Sequence, residues 1–282
     1  MGADLVLLTD CAVKQRLGEG DPIAGSDRLY KLTKQRSHAD LVAGMMKRDG
    51  KDPMTGTFVQ VVNGPDGPVE RQVSVKALFE ATAILDELAP RCAGCAACVF
   101  ADRFGCVTFI PYPVAEAGEA WLMKRVQPAD TLGGFLLQKA IKDFSYTGAK
   151  IAAWRARGLF ESKTPTQAVV KKGFLSSTKV SSDQLLEGIL ALGEPMQASH
   201  GMLVLLFVGA LKIDGAVPTR KDDPTPLAAL AALGEGTIAQ RKARTALDIG
   251  PASDDPGPAA MQTLLRAIYQ AWLLGDSLWI DA

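Results

Sequence analysis

Four of the chain's five cysteines fall within fifteen residues, as Cys92, Cys95, Cys98 and Cys106 in a C-x2-C-x2-C-x7-C run. No other feature of the sequence narrows the possibilities as much. Thiolate is a soft ligand, and soft ligands select zinc, copper(I) or iron–sulfur clusters. The spacers Ala93, Gly94, Ala96 and Ala97 are small, so a backbone can curl around a compact inorganic centre without collision. Glycine adds conformational freedom at Gly94. Single buried cysteines are common as small hydrophobes, but packing needs alone do not call for four in so short a stretch.

Three readings of the run compete, and an iron–sulfur cluster is the favoured one. Three cysteines spaced three apart can present three thiolates to one face of a cluster, and Cys106 completes a four-thiolate set of the kind a [4Fe–4S] cluster takes. The Cys92–Cys95–Cys98 run resembles the ligand run of bacterial-type ferredoxins. It departs from that pattern at the fourth cysteine, which follows after seven intervening residues and is not followed by proline. A second complementary set of cysteines is absent, which excludes a two-cluster ferredoxin. Structural zinc is the second reading. Zinc accepts four thiolates, but its common pattern is two C-x2-C pairs separated by a longer loop, and here Cys95 is shared between two overlapping pairs. The third reading is a metal-free thiol cluster, redox-active or inert. A four-thiolate centre is net negative and calls for nearby cations. Arg91, Arg103 and Lys124 are the candidates, and as solvated surface charges they would need no further role.

Cys11 stands apart, after Thr9-Asp10 at the end of an apolar, strand-like run. With His38 it forms a conceivable nucleophile–base pair, against the simpler reading of a buried structural thiol. His38 and His200 are the only histidines, so any catalytic arrangement that needs an imidazole must use one of them. His38 lies among Arg36, Ser37 and Asp40 on a polar helix face. His200 opens the apolar run that begins at Met202 and reads as a satisfied helix-entry histidine. Neither has the i,i+4 partner of a helical zinc motif.

The remaining function classes have little support. Lys+Arg and Asp+Glu are both 31, so the formal net charge is zero, where a nucleic-acid binder would usually carry a basic excess. Aromatic residues are 6% of the chain, too few to suggest a base-stacking surface. The first ten residues lack the positive n-region of a secretory signal. The longest apolar stretch, Met202 to Leu211, is about half of the roughly 20 residues a membrane helix needs. A cytoplasmic protein follows, with no membrane or nucleic-acid partner indicated and a protein partner expected. Clustered cysteines in that setting favour metal or redox chemistry over disulfides. Gly18-Glu19-Gly20 lacks the third glycine of a phosphate loop.

The periodicities predict an α+β fold: a small antiparallel sheet and a mostly helical second half. The sheet would combine a hairpin over residues 57–75, turning at the Asn63-Gly64-Pro65-Asp66-Gly67-Pro68 cluster, with a strand over 106–110. Helices are expected over 26–48, with Ser26 as N-cap, over 76–88, ended by Pro90, and over 261–274. Ser181-Ser182-Asp183-Gln184 fits a capping box at the start of another helix. Gly158 and Thr164-Pro165 mark a division into residues 1–160, which carry the cysteines, and a mainly helical 161–282, packed together as a unit.

Overall fold

The computed structural model describes residues 2–64, 67–172, 177–213 and 233–282. Helices dominate and the strands form small sheets, so the fold is α+β. In chain order the first elements are β1 (Gly2–Leu7), α1 (Ala12–Leu17), α2 (Pro22–Arg48), β2 (Thr57–Gly64) and β3 (Gly67–Ser74). Helices α3 (Val75–Ala81) and α4 (Ile84–Leu88) follow, then a 3₁₀ turn at Ala89–Cys92 and β4 (Val107–Pro111). Next come α5 (Glu116–Lys124), α6 (Leu132–Asp143), α7 (Ala149–Ala156), β5 (Gln167–Lys172) and β6 (Ser177–Ser181). The described chain continues through α8 (Ser182–Leu190), α9 (Ala198–Phe207) and β7 (Leu211–Ile213). It ends with α10 (Ile238–Arg244), β8 (Thr245–Leu247), α11 (Pro256–Leu274) and β9 (Leu278–Asp281).

These elements fall into two compact units: Asp10–Val107, which holds all five cysteines, and Met1–Thr9 together with Thr108–Ala282. Gly158 and Thr164-Pro165 both lie inside the second, larger unit.

The larger unit is organised around β1, the middle strand of the order β4-β1-β9. Its Leu5, Val6 and Leu7 are buried. β1 pairs antiparallel with β9, Leu5 opposite Ile280 and Leu7 opposite Leu278. The 57–75 hairpin is therefore not part of the sheet that holds the 107–111 strand. It forms its own two-stranded sheet, Thr57 opposite Ser74 through Gly64 opposite Gly67, and belongs to the other unit. Helix α11 packs on α5, α9 and β1, burying Leu264, Leu265 and Ile268 completely. Asp255, not the expected stretch near 261, starts that helix: its carboxylate accepts from the Gly257 N–H at 2.9 Å, and Pro256 supplies the preset φ of a first helical residue. The capping box at Ser181 and Gln184 is present as expected.

A buried charge network ties the larger unit together. Arg155 of α7 donates to both oxygens of Glu119 on α5, at 2.9 and 3.1 Å, and to Asp183 of α8 at 2.6 Å. Its guanidinium also lies 4.5 Å from the centroid of the Phe160 ring. Glu119 accepts further from the Thr166 N–H at 3.1 Å and from the Ser182 hydroxyl. Burial works against the Arg155 charge, but the hydrogen bonds and charges of the two carboxylates outweigh it and raise the arginine above its ordinary value.

In the Asp10–Val107 unit, α2 begins at Pro22, four residues before the expected Ser26. Asp21 caps it, accepting from Ile23 N–H at 2.8 Å. The Ser26 hydroxyl instead donates to the Pro22 carbonyl inside the helix. The expected 76–88 helix breaks into α3 and α4 at Thr82, a fully buried residue whose hydroxyl donates to the carbonyls of Leu78 and Phe79.

Replacing Arg155 by Met leaves two buried carboxylates without their cation, which should cost about 3–5 kcal/mol. Urea unfolding followed by tryptophan fluorescence measures this, because Trp121, Trp154, Trp272 and Trp279 all belong to the larger unit. A loss below about 1 kcal/mol would place the network outside the unit's stability.

Candidate functional site

The cysteine loop is wound by its own backbone. The 3₁₀ turn Ala89–Cys92 carries Pro90 in its first positions and delivers Cys92 buried. Cys95 N–H then donates to the Cys92 carbonyl, and Cys98 N–H to the Cys95 carbonyl, both at 3.1 Å. Cys95 thus closes one tight turn and opens the next. Gly94 lies in the left-handed region, with φ of 72°, which the first turn needs and which side chains rarely adopt. Ala97 is buried at 1% exposure, so the small spacer there is a packing requirement as well. The loop returns through Phe100 N–H to the Gly105 carbonyl at 3.2 Å and enters β4 beside Cys106.

This winding carries the four cysteines on one short loop, where the electrostatics of Cys98 depend on Cys106, Cys95 and Cys92. Cys92 and Cys106 are buried, while Cys95 and Cys98 are half-buried. Phe104 occupies the left-handed region at φ 53°, uncommon for a residue with a side chain, and its N–H donates to the Cys92 sulfur. Backbone donors to sulfur are among the features that tune thiolate centres.

The thiols are unequal. Burial, opposed by the Phe104 N–H and aided by Cys98 and Cys95, pushes Cys92 up to about 11. Cys98 is raised as well, first by its hydrogen bond to Cys106 and then by burial. Cys106 is lowered by accepting that bond, with the charge of Lys14 assisting against burial.

Lys14 is a buried charge that the sequence does not announce. It sits on α1 with no solvent exposure. α1 packs both on α2 and on the 3₁₀ turn that ends at Cys92. The crossing with α2 is tight: a Cβ on Gly25 would fall 1.8 Å from the Lys14 carbonyl oxygen, so a side chain at position 25 would force the helices apart. The expected cations are elsewhere. Arg91 and Arg103 are exposed, and Lys124 is exposed on α5 of the larger unit.

Cys11 is not isolated. It is the N-cap residue of α1, and its charge acts on Cys106, which makes it a fifth sulfur beside the loop. His38 is not placed as its base: the imidazole lies edge-on to Phe58, with centroids 5.2 Å apart. His200 is satisfied at Nε2, 2.8 Å from the Gly188 carbonyl oxygen, as a helix-entry histidine should be. A cavity of about 480 Å3 in the same unit is lined by Asp40, Ala43, Lys47, Met54 and Phe79 among others, but by no cysteine. It gives the thiols no substrate pocket.

Among the described residues, no set of three or more His, Cys, Asp or Glu side chains stands ready around a metal position. A tetrahedral zinc with Zn–S near 2.3 Å would set neighbouring sulfurs about 3.8 Å apart, and binding would require the thiols to deprotonate and turn onto a shared centre. No helix among the described residues is long and apolar enough to cross a membrane. No family model matches the chain, and no curated protein or solved structure is significantly similar to it.

The raised Cys92 has a pH consequence. A folded-state value of about 11 against an ordinary 9.0 means that the fold favours the neutral thiol. That contribution is complete below about pH 9 and is lost as pH rises through about 11. Melting temperatures of the reduced, metal-free chain should therefore fall between pH 9 and 11, and Cys92→Ala should flatten the fall. An identical slope in the variant would contradict the assignment.

Proposed function

We propose that the 92–106 loop holds one metal centre through Cys92, Cys95, Cys98 and Cys106, with an iron–sulfur cluster as the favoured occupant. The role would be sensing, electron transfer or partner binding in the cytoplasm, where thiols stay reduced. What supports the reading is the C-x2-C-x2-C-x7-C spacing on a loop whose backbone turns from Cys92 to Cys95 and again from Cys95 to Cys98. Soft thiolate donors suit such a cluster, and the Phe104 N–H supplies a hydrogen bond to sulfur of the kind that sets cluster potentials.

Zinc is the second reading. Between the 3₁₀ turn and β4 the loop contains only turns and bends, the kind of segment a metal can staple. In that case the site is structural, and the protein acts as an interaction module.

Metal and acid-labile sulfide analysis of protein purified without oxygen distinguishes the two. About four iron and four sulfide per chain, with charge-transfer absorption that bleaches in dithionite, is the expected result. One zinc without sulfide selects the second reading. Folded, reduced protein with neither metal overturns both. Cys98→Ser should reduce the bound metal to a small fraction of the wild-type amount, whereas Cys11→Ser should leave it unchanged.

A further inference from the structure

Helix α7 uses two of its faces differently. Ile151 and Arg155, one turn apart, are buried, and the bonds from Arg155 to Glu119 and Asp183 fix that side of the helix. Lys150, Trp154 and Arg157 follow one another along a second stripe, at the i, i+4 and i+7 spacing of neighbours on one helix face. They line a groove of about 460 Å3 together with Trp279 and Asp281 of β9. That volume falls within the roughly 300–1,000 Å3 of small-molecule sites. Every lining residue belongs to the larger unit, so the groove is independent of the cysteine loop.

Two of the chain's four tryptophans lie in this one groove, both half-buried. The Trp154 indole makes no ring contact and no hydrogen bond with the described residues. One turn along, the exposed Arg157 guanidinium makes no ion pair or hydrogen bond with them either. Arg157 is the C-cap residue of α7, and the helix dipole accounts for a cation there, but not for the bare indole beside it. The Lys150 ammonium is held in place by donating to the Ala191 carbonyl at 2.9 Å, which leaves it further N–H donors. A π-face flanked by cations is complementary to a flat ring that carries negative charge. Indole stacks on planar rings, and the guanidinium fork matches carboxylate and phosphate. Asp281 is the acidic side chain of the lining. It opposes a ligand with charge at both ends and can accept from an amino group or ring N–H.

We infer that this groove binds a small aromatic anion, with the ring against Trp154 and Trp279 and the phosphate or carboxylate held by Arg157 and Lys150. The test is isothermal calorimetry of the full chain with four probes. Adenosine monophosphate carries ring and phosphate, indole-3-acetate carries ring and carboxylate, and adenosine and inorganic phosphate carry one part each. At least one of the two aromatic anions should bind with Kd below about 1 mM, and about tenfold or more tighter than adenosine and inorganic phosphate. The tighter of the two identifies the anionic group. Arg157→Gln, at an exposed position, should weaken that binding about tenfold with the melting temperature unchanged. Trp154→Leu should weaken it by a similar factor, and if that variant does not fold, Trp154→Phe takes its place and should bind more weakly than wild type. Neither aromatic anion binding below about 1 mM, adenosine or phosphate alone binding as tightly, or Arg157→Gln within about twofold of wild type overturns the inference.

Discussion

A charge buried away from water has to be balanced within the protein, and the Asp10–Val107 unit buries one at Lys14. Helix α1 is only six residues long and cannot sustain itself in isolation. It is held by its crossing with α2 and by packing on the 3₁₀ turn that ends at Cys92, and this support keeps Lys14 out of water. The same packing holds the start of the cysteine loop, where Cys92 is buried.

The larger unit balances its buried charge in a different way. Arg155 is matched on two sides by carboxylates, with further donors from Ser182 and Thr166 on Glu119. That network is complete within the polypeptide and needs nothing from solution. It is a structural tie among α5, α7 and α8. Lys14, in the other unit, is also fully buried, on a helix that packs against the turn before the cysteine loop.

The local features of the chain were largely legible in its sequence. Ser181 and Gln184 announce a capping box, and the strand pattern around 57–75 announces a hairpin, because both depend on residues a few positions apart. Partnerships over long distances were not. β1 pairs with β9 at the far end of the chain, and no periodicity encodes that, so the hairpin was joined to the wrong strand. Ser26 looked like a helix start, but Asp21 and Pro22 satisfy the same need one turn earlier. The cysteine cluster itself was legible from spacing. Lys14 and the approach of Cys11 were not, since burial of a lysine is decided by the α1–α2 crossing at Gly25 and leaves no mark at position 14.

The central claim is that four cysteine sulfurs of one loop share one metal, and X-ray absorption at the edge of the metal carried by anaerobically purified protein tests it most directly. The account predicts a first shell made of sulfur alone, at about 2.3 Å, with a second shell of iron in the cluster case. A first shell containing oxygen or nitrogen, or a sulfur shell that survives replacement of Cys98 by Ser unchanged, would contradict it.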